Sequence, residues 1–167
     1  MKPEKILFLH GYESSGKGFK AEFLRQIFSK IQTPTLTGDL SARMEQILPL
    51  FLEHERWVII GSSYGGLMAT LLAQKYPSRI SRLVLLAPAL IPPLFTPDPS
   101  LSPIDIPTDI FHGLNDDVVP LETVKPIVKK IFSNLEYHIV DDDHRLHSTT
   151  RQIPWENLLV NNTINQG

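Results

Sequence analysis

Apolar positions fall into two alternating patterns along this chain. Residues 6–9, 57–60 and 83–86 are short continuous apolar runs. A run without alternation suits a strand buried on both faces, as in a parallel sheet. Residues 108–111 and 135–140 also read as strands, though they are not continuously apolar. Between them the spacing changes to that of helices. Phe19, Phe23, Leu24, Ile27, Phe28 and Ile31 form one stripe and predict a helix over 19–31. Met44, Ile47, Leu48, Phe51 and Leu52 form another, with Ser41 as its expected cap and Pro49 as a point of kinking or division. Residues 67–76, closed by Pro77, and 121–132, with Pro126 an obstacle inside it, predict two more. A short helix is expected over 153–160, with Pro154 near its first turn. Residues 33–36 are a short β-branched candidate strand.

Residues 88–107 break both patterns. Pro88, Pro92, Pro93, Pro97, Pro99, Pro103 and Pro107 are half of the fourteen prolines in the chain. Such a segment forms neither a regular helix nor a central strand. Strands alternating with helices predict one α/β domain over 1–167, a three-layer sandwich around a mostly parallel sheet.

Composition narrows the function. The 167 residues carry a net charge of −2 and are 42% hydrophobic, ordinary for a globular protein. That balance argues against a broad nucleic-acid-binding face. With no cysteine, thiolate catalysis and cysteine-ligated zinc are excluded. The apolar run at 6–9 is too short for a signal-peptide core, and no stretch reaches the length of a membrane span. A cytoplasmic protein without a membrane partner is the resulting expectation.

The chemistry begins at Gly61-Ser62-Ser63-Tyr64-Gly65-Gly66, between an expected strand and an expected helix. Read as G-x-S-x-G, it is a nucleophile elbow with Ser63 at its apex. A serine hydroxyl is a weak nucleophile until a base takes its proton. A tight turn into a helix N-terminus would expose that hydroxyl where backbone N–H groups favour negative charge. His112-Gly113-Leu114-Asn115-Asp116-Asp117 follows another expected strand. An acid there could orient a histidine, and Asp116 is preferred to Asp117, although an Asx-turn or a helix cap accounts for either. Asp141-Asp142-Asp143-His144 follows the last strand. His144, nearer the strand end, is preferred to His147 as base. His138 lies inside the strand pattern and reads as structural.

Two competing signals are weaker. Residues 11–18 nearly spell a phosphate-binding loop, but Gly18 stands where Ser or Thr must hold Mg²⁺. Asp141, Asp142, Asp143, His144 and His147 could suggest a metal cluster, but they lack a helical H-E-x-x-H frame. Neither a metal nor an organic cofactor is expected.

Together the His10-Gly11 loop, GSSYGG, HGLNDDVVP and DDDH resemble a small α/β-hydrolase, in its chain order Ser63, Asp116, His144. The pairing of HGYESS with GSSYGG is similar to compact YqiA-like bacterial esterases. The resemblance implies an oxyanion hole made by the backbone N–H groups of Tyr12 and Tyr64. It implies a serine esterase acting on a small-molecule acyl ester or thioester. The usual N-terminal antiparallel strands and a cap domain are expected to be missing, leaving residues 88–107 to cover the site. Leu90, Ile91, Leu94 or Phe95 could then line an acyl pocket. A hydrolase fold that binds without turnover, and acyl transfer to an acceptor other than water, are the alternative readings.

Overall fold

The computed structural model describes residues 5–160. Five strands form one sheet: β1 (Lys5–Leu9), β2 (Trp57–Ser62), β3 (Ile80–Leu86), β4 (Thr108–Gly113) and β5 (Leu135–Val140). They lie in sequence order, and every neighbouring pair is parallel. Among the described residues no strand precedes β1. The interior strand β2 is buried along its whole length, as its unbroken apolar run requires.

Among the described residues six α-helices cover the two faces. Against one face lie α2 (Leu40–Leu52), α3 (Tyr64–Lys75) and α4 (Leu121–Ile131). Ile47, Phe51, Leu67, Leu72, Val124 and Val128 pack there on Leu7, Ile59, Leu85 and Ile110. Against the other lie α1 (Phe19–Ile27), α5 (His147–Gln152) and α6 (Trp155–Val160). Ala21, Leu24, Leu146, Ile153 and Trp155 pack there on Phe8, Val58, Ile60 and Val84.

Several boundaries differ from the sequence pattern for identifiable reasons. Helix α1 stops at Ile27, and Phe28 is extended, although Ile31 still reaches the core. The candidate strand at 33–36 does not form, and the neighbouring Gln32 makes one parallel bridge with Leu7 instead. Pro34 has no N–H to extend a ladder, and the Leu36 N–H donates to His10 Nε2 instead. Helix α2 is capped by Asp39, whose carboxylate accepts from the Ala42 N–H at 2.9 Å, not by Ser41. Pro49 and Pro126 sit within helices that continue through them. Both are exposed, as are Glu45 and Glu122 one turn earlier, so water can satisfy the carbonyls they leave without a donor. The terminal helix starts only at Trp155, because Pro154 biases Ile153 towards its observed extended geometry (φ −60°, ψ 127°), and α5, which the apolar pattern does not predict, precedes it.

The chain leaves the C-terminal ends of β1 and β2 in opposite directions. After β1 it crosses to Gln32 on the outer side of that strand, whereas after β2 it crosses inward to β3. Such a reversal opens a crevice outside the carboxyl ends of the two strands. The loops that open it are His10-Gly11-Tyr12 and the turn at Ser63.

Candidate active site

The turn at Ser63 is strained. Its φ of 53° and ψ of −110° lie outside the regions a side-chain-bearing residue prefers. Backbone bonds hold it there. The Ser63 N–H donates to the Leu86 carbonyl at 2.9 Å, and its own carbonyl accepts from Gly66, Leu67 and Ala89. The glycines permit the crowding. A Cβ on Gly65 would lie 1.9 Å from the Leu9 carbonyl oxygen, and one on Gly61 would lie 2.6 Å from the Gly65 oxygen. Helix α3 therefore begins at Tyr64, three residues earlier than apolar spacing alone suggests.

Three expected residues meet at this turn. His144 Nε2 lies 3.0 Å from Ser63 Oγ, and His144 Nδ1 lies 2.8 Å from Asp116 Oδ2. The histidine comes from the loop after β5 and the aspartate from the loop after β4. The Asp116 side chain is fully buried, and that of His144 is 18% exposed. Asp116 Oδ1 accepts the N–H groups of Val118 and Val119 at 2.9 and 2.7 Å. Burial opposes ionisation of Asp116. Hydrogen bonds from His112, His144 and the Val119 N–H outweigh it and hold the carboxyl well below the ordinary range.

The rival residues lie elsewhere. Asp117 is exposed. His147 opens α5 and packs its ring on Phe19, 4.2 Å between centroids. Burial and the nearby Lys20, Arg145 and Arg151 push its pKa down. Asp142, in the same acidic loop, accepts both the N–H and the hydroxyl of Thr149. Among the described residues no group of three or more His, Asp or Glu side chains is arranged to hold a metal ion. None of the described helices is long and apolar enough to cross a membrane.

The two expected oxyanion donors flank the serine. Tyr64 is the first residue of α3, where an N–H has no partner within the helix. Tyr12 follows Gly11, whose hypothetical Cβ would sit 3.7 Å from Ser63 Cβ. Among the described residues neither amide N–H has a protein acceptor. The tyrosine rings pack edge to face, with centroids 5.3 Å apart.

Two residues beside these groups carried little sequence signal. His112 is completely buried, with Nε2 2.8 Å from the Val119 carbonyl and 3.3 Å from Asp116 Oδ2. Both neighbours are acceptors, so Nε2 bears a proton, an assignment made from its partners. The Tyr137 hydroxyl lies 3.1 Å from Nδ1. Burial and the Asp116 charge raise its pKa, so it stays protonated. The second is Arg43 of α2, 4% exposed. It shares the buried stripe with Ile47 and Phe51, four and eight residues on. A charged residue on an apolar stripe was its only signal.

The proline-rich segment separates the proposed pocket residues. Leu90 and Phe95 belong to the core, whereas Leu94 is 46% exposed. A hollow of about 540 Å³ opens between this segment and Gln74, Lys130 and Ile131, and is not bounded by Ser63, Asp116 or His144. The exposed apolar side chains nearest Asp116 in sequence are Leu114 and Val118, in its own loop.

Comparison with known proteins points one way. A family model described as alpha/beta hydrolase fold matches residues 29–102, a span that includes Ser63 but neither Asp116 nor His144. No curated protein matches the sequence. Among solved structures, alpha/beta hydrolase domain-containing protein 10 from mouse superposes with a TM-score of 0.74 at 17% identity, over 98% of this chain and 90% of that one. The serine hydrolase CCSP0084 from Cycloclasticus zankles gives 0.75 at 16%, over 99% and 92%. An alpha-beta serine hydrolase homologue from Coxiella burnetii gives 0.67 at 19%, over 96% and 87%. Five parallel strands between two helical layers, with a strained serine turn at the switch in chain direction, are the alpha/beta hydrolase fold, and this chain carries it.

Proposed function

We propose that the chain is a serine hydrolase that cleaves carboxylic ester or thioester bonds through an acyl-enzyme. The hydrogen-bonded chain from Ser63 Oγ through His144 to Asp116 carries this reading. Ser63 Oγ attacks the acyl carbonyl while His144 Nε2 takes its proton. The Nδ1–H of the resulting imidazolium stays on the Asp116 carboxylate, which fixes the ring and stabilises its charge. The Tyr12 and Tyr64 N–H groups receive the oxyanion, usually a large share of catalysis. Collapse of the tetrahedral intermediate expels the alcohol or thiol, which leaves with the proton from Nε2. A water then gives a proton to the same nitrogen and attacks the acyl-serine. The acid departs, and the proton returns to Ser63 Oγ. No step requires a metal or organic cofactor.

The substrate is read as a small-molecule ester or thioester, acted on by one domain in the cytoplasm. Neighbours titled serine hydrolase and esterase support the reaction class. A fluorophosphonate probe tests it, because it reacts with an activated serine. The folded protein should be labelled, and Ser63→Ala should not. An unlabelled wild type, or equal labelling of Ser63→Ala, would refute the proposal.

A further inference from the structure

We infer that Arg43 is a positioning residue for oxyanion stabilisation. It holds the loop that presents the Tyr12 N–H. The inference rests on the hydrolase reading above and adds a residue from outside the catalytic loops.

The loop needs holding. From Tyr12 to Ser14 every residue is exposed, Tyr12 by 59%. Core packing therefore does not fix the peptide between Gly11 and Tyr12, and glycine allows it to rotate. Arg43 reaches this segment from α2. Its guanidinium donates to the Tyr12 carbonyl at 3.0 Å and, at a longer 3.5 Å, to the Gly11 carbonyl. Its Nε donates to the Gly38 carbonyl at 2.9 Å. The planar fork thus spans two successive carbonyls and ties them to the turn before α2.

Those carbonyls flank the Tyr12 Cα. The Gly11 carbonyl belongs to the same peptide unit as the Tyr12 N–H. In a trans peptide the two point in opposite directions, so anchoring one aims the other. The Gly11 oxygen is also held by the Ser14 N–H at 3.2 Å and by His10 Nδ1 at 2.7 Å. His10 Nε2 accepts the Leu36 N–H, which leaves the ring proton on Nδ1. Arg43 also reaches the second peptide and both rings. Its guanidinium carbon lies 4.9 Å from the Tyr12 centroid and 5.1 Å from the Tyr64 centroid. One side chain therefore touches both residues whose amides face the developing negative charge.

Simple packing does not explain an arginine here. Among the described residues no carboxylate forms an ion pair with it, and burying a cation is costly. An apolar side chain would fill the stripe of α2 at less cost.

The test uses Arg43→Met and Arg43→Lys in the full chain, beside Ser63→Ala. Readouts are kcat and KM for p-nitrophenyl acetate, inhibition by a trifluoromethyl ketone, and near-UV circular dichroism. Losing the aim of one oxyanion donor should lower kcat of Arg43→Met by about tenfold to a hundredfold, with KM little changed. Affinity for the ketone, which forms a tetrahedral oxyanion on the enzyme, should fall in the same proportion. Lysine keeps the charge but cannot bridge two carbonyls, so Arg43→Lys should recover only part of the loss. A native-like Arg43→Met with unchanged kcat and ketone affinity would overturn the inference. If Arg43→Met does not fold, Arg43→Lys with full kcat overturns it equally, and a loss in kcat and ketone affinity at constant KM upholds it. Activity persisting in Ser63→Ala would instead sink the hydrolase reading itself.

Discussion

Strands β4 and β5 and the loops that follow them carry two Asp–His pairs of nearly identical separation. Asp116 and His144 lie 2.8 Å apart in the loops after β4 and β5. Asp109 and His138 lie 2.9 Å apart within those strands. What differs is the remaining contacts of each member. Asp116 gives its other oxygen to two backbone N–H groups, so its charge is solvated by dipoles and stays available to an imidazolium. Asp109 gives its other oxygen to the Arg82 guanidinium, which already neutralises it. His144 meets its aspartate through Nδ1 and keeps Nε2 for Ser63. His138 spends Nε2 on Asp109 and stacks on Phe111 at 4.3 Å between centroids. Among the described residues no hydroxyl is hydrogen-bonded to its ring. An aspartate beside a histidine is thus a catalytic element only when the free nitrogen faces a nucleophile.

The sharpest way to break this contrast is to delete each histidine. His144→Ala should lower kcat by roughly 10⁴- to 10⁶-fold. His138→Ala should leave kcat nearly unchanged, because its ring is bonded to Asp109 and stacked on Phe111 and touches none of Ser63, His144 and Asp116. Ester hydrolysis by both purified variants checks the pair. Comparable losses would mean that the strand pair takes part in turnover.

Replacing the two acids gives different kinds of damage. Asp116→Asn should lower kcat by about 10⁴-fold, because the amide favours the wrong tautomer of His144. Asp109→Asn should spare turnover by folded protein but leave the partly buried Arg82 without its carboxylate. Breaking a buried pair in that way costs about 3–5 kcal/mol. Arg82 Nε already lacks a partner among the described residues, so little compensation is at hand. Urea unfolding together with kcat separates the two outcomes.

The sequence pattern makes β1, β2 and β3 legible because strands buried on both faces are largely apolar. It identifies Ser63 because Gly61 and Gly65 leave a recognisable trace of backbone crowding. The helix starts were less legible, since Asp39 and Ser41 are chemically interchangeable as caps. Asp116 and His144 could be located only by loop, because each has a neighbour of the same type whose burial the sequence does not reveal. His112 and Arg43 depend on side chains and carbonyls brought together from separate elements. No local spacing encodes such contacts, although a buried arginine on the α2 stripe is a conflict that invites explanation.

The smallest effect separates Asp116 from an ordinary surface carboxylate through pH. Its folded pKa lies below the unfolded value, so its ionised form stabilises the native state. That contribution is complete above the unfolded pKa, about 3.9, and is lost as pH falls through the folded pKa. Asp116→Asn has no such group. The stability gap between wild type and Asp116→Asn should therefore be constant near neutral pH and narrow below about pH 4, measured by urea unfolding at each pH. A gap that keeps its neutral value well into acid would mean that His112, His144 and the Val119 N–H do not hold the carboxylate ionised. The contrast with the guanidinium-neutralised Asp109 would then lose its electrostatic basis, leaving only the direction in which each histidine points.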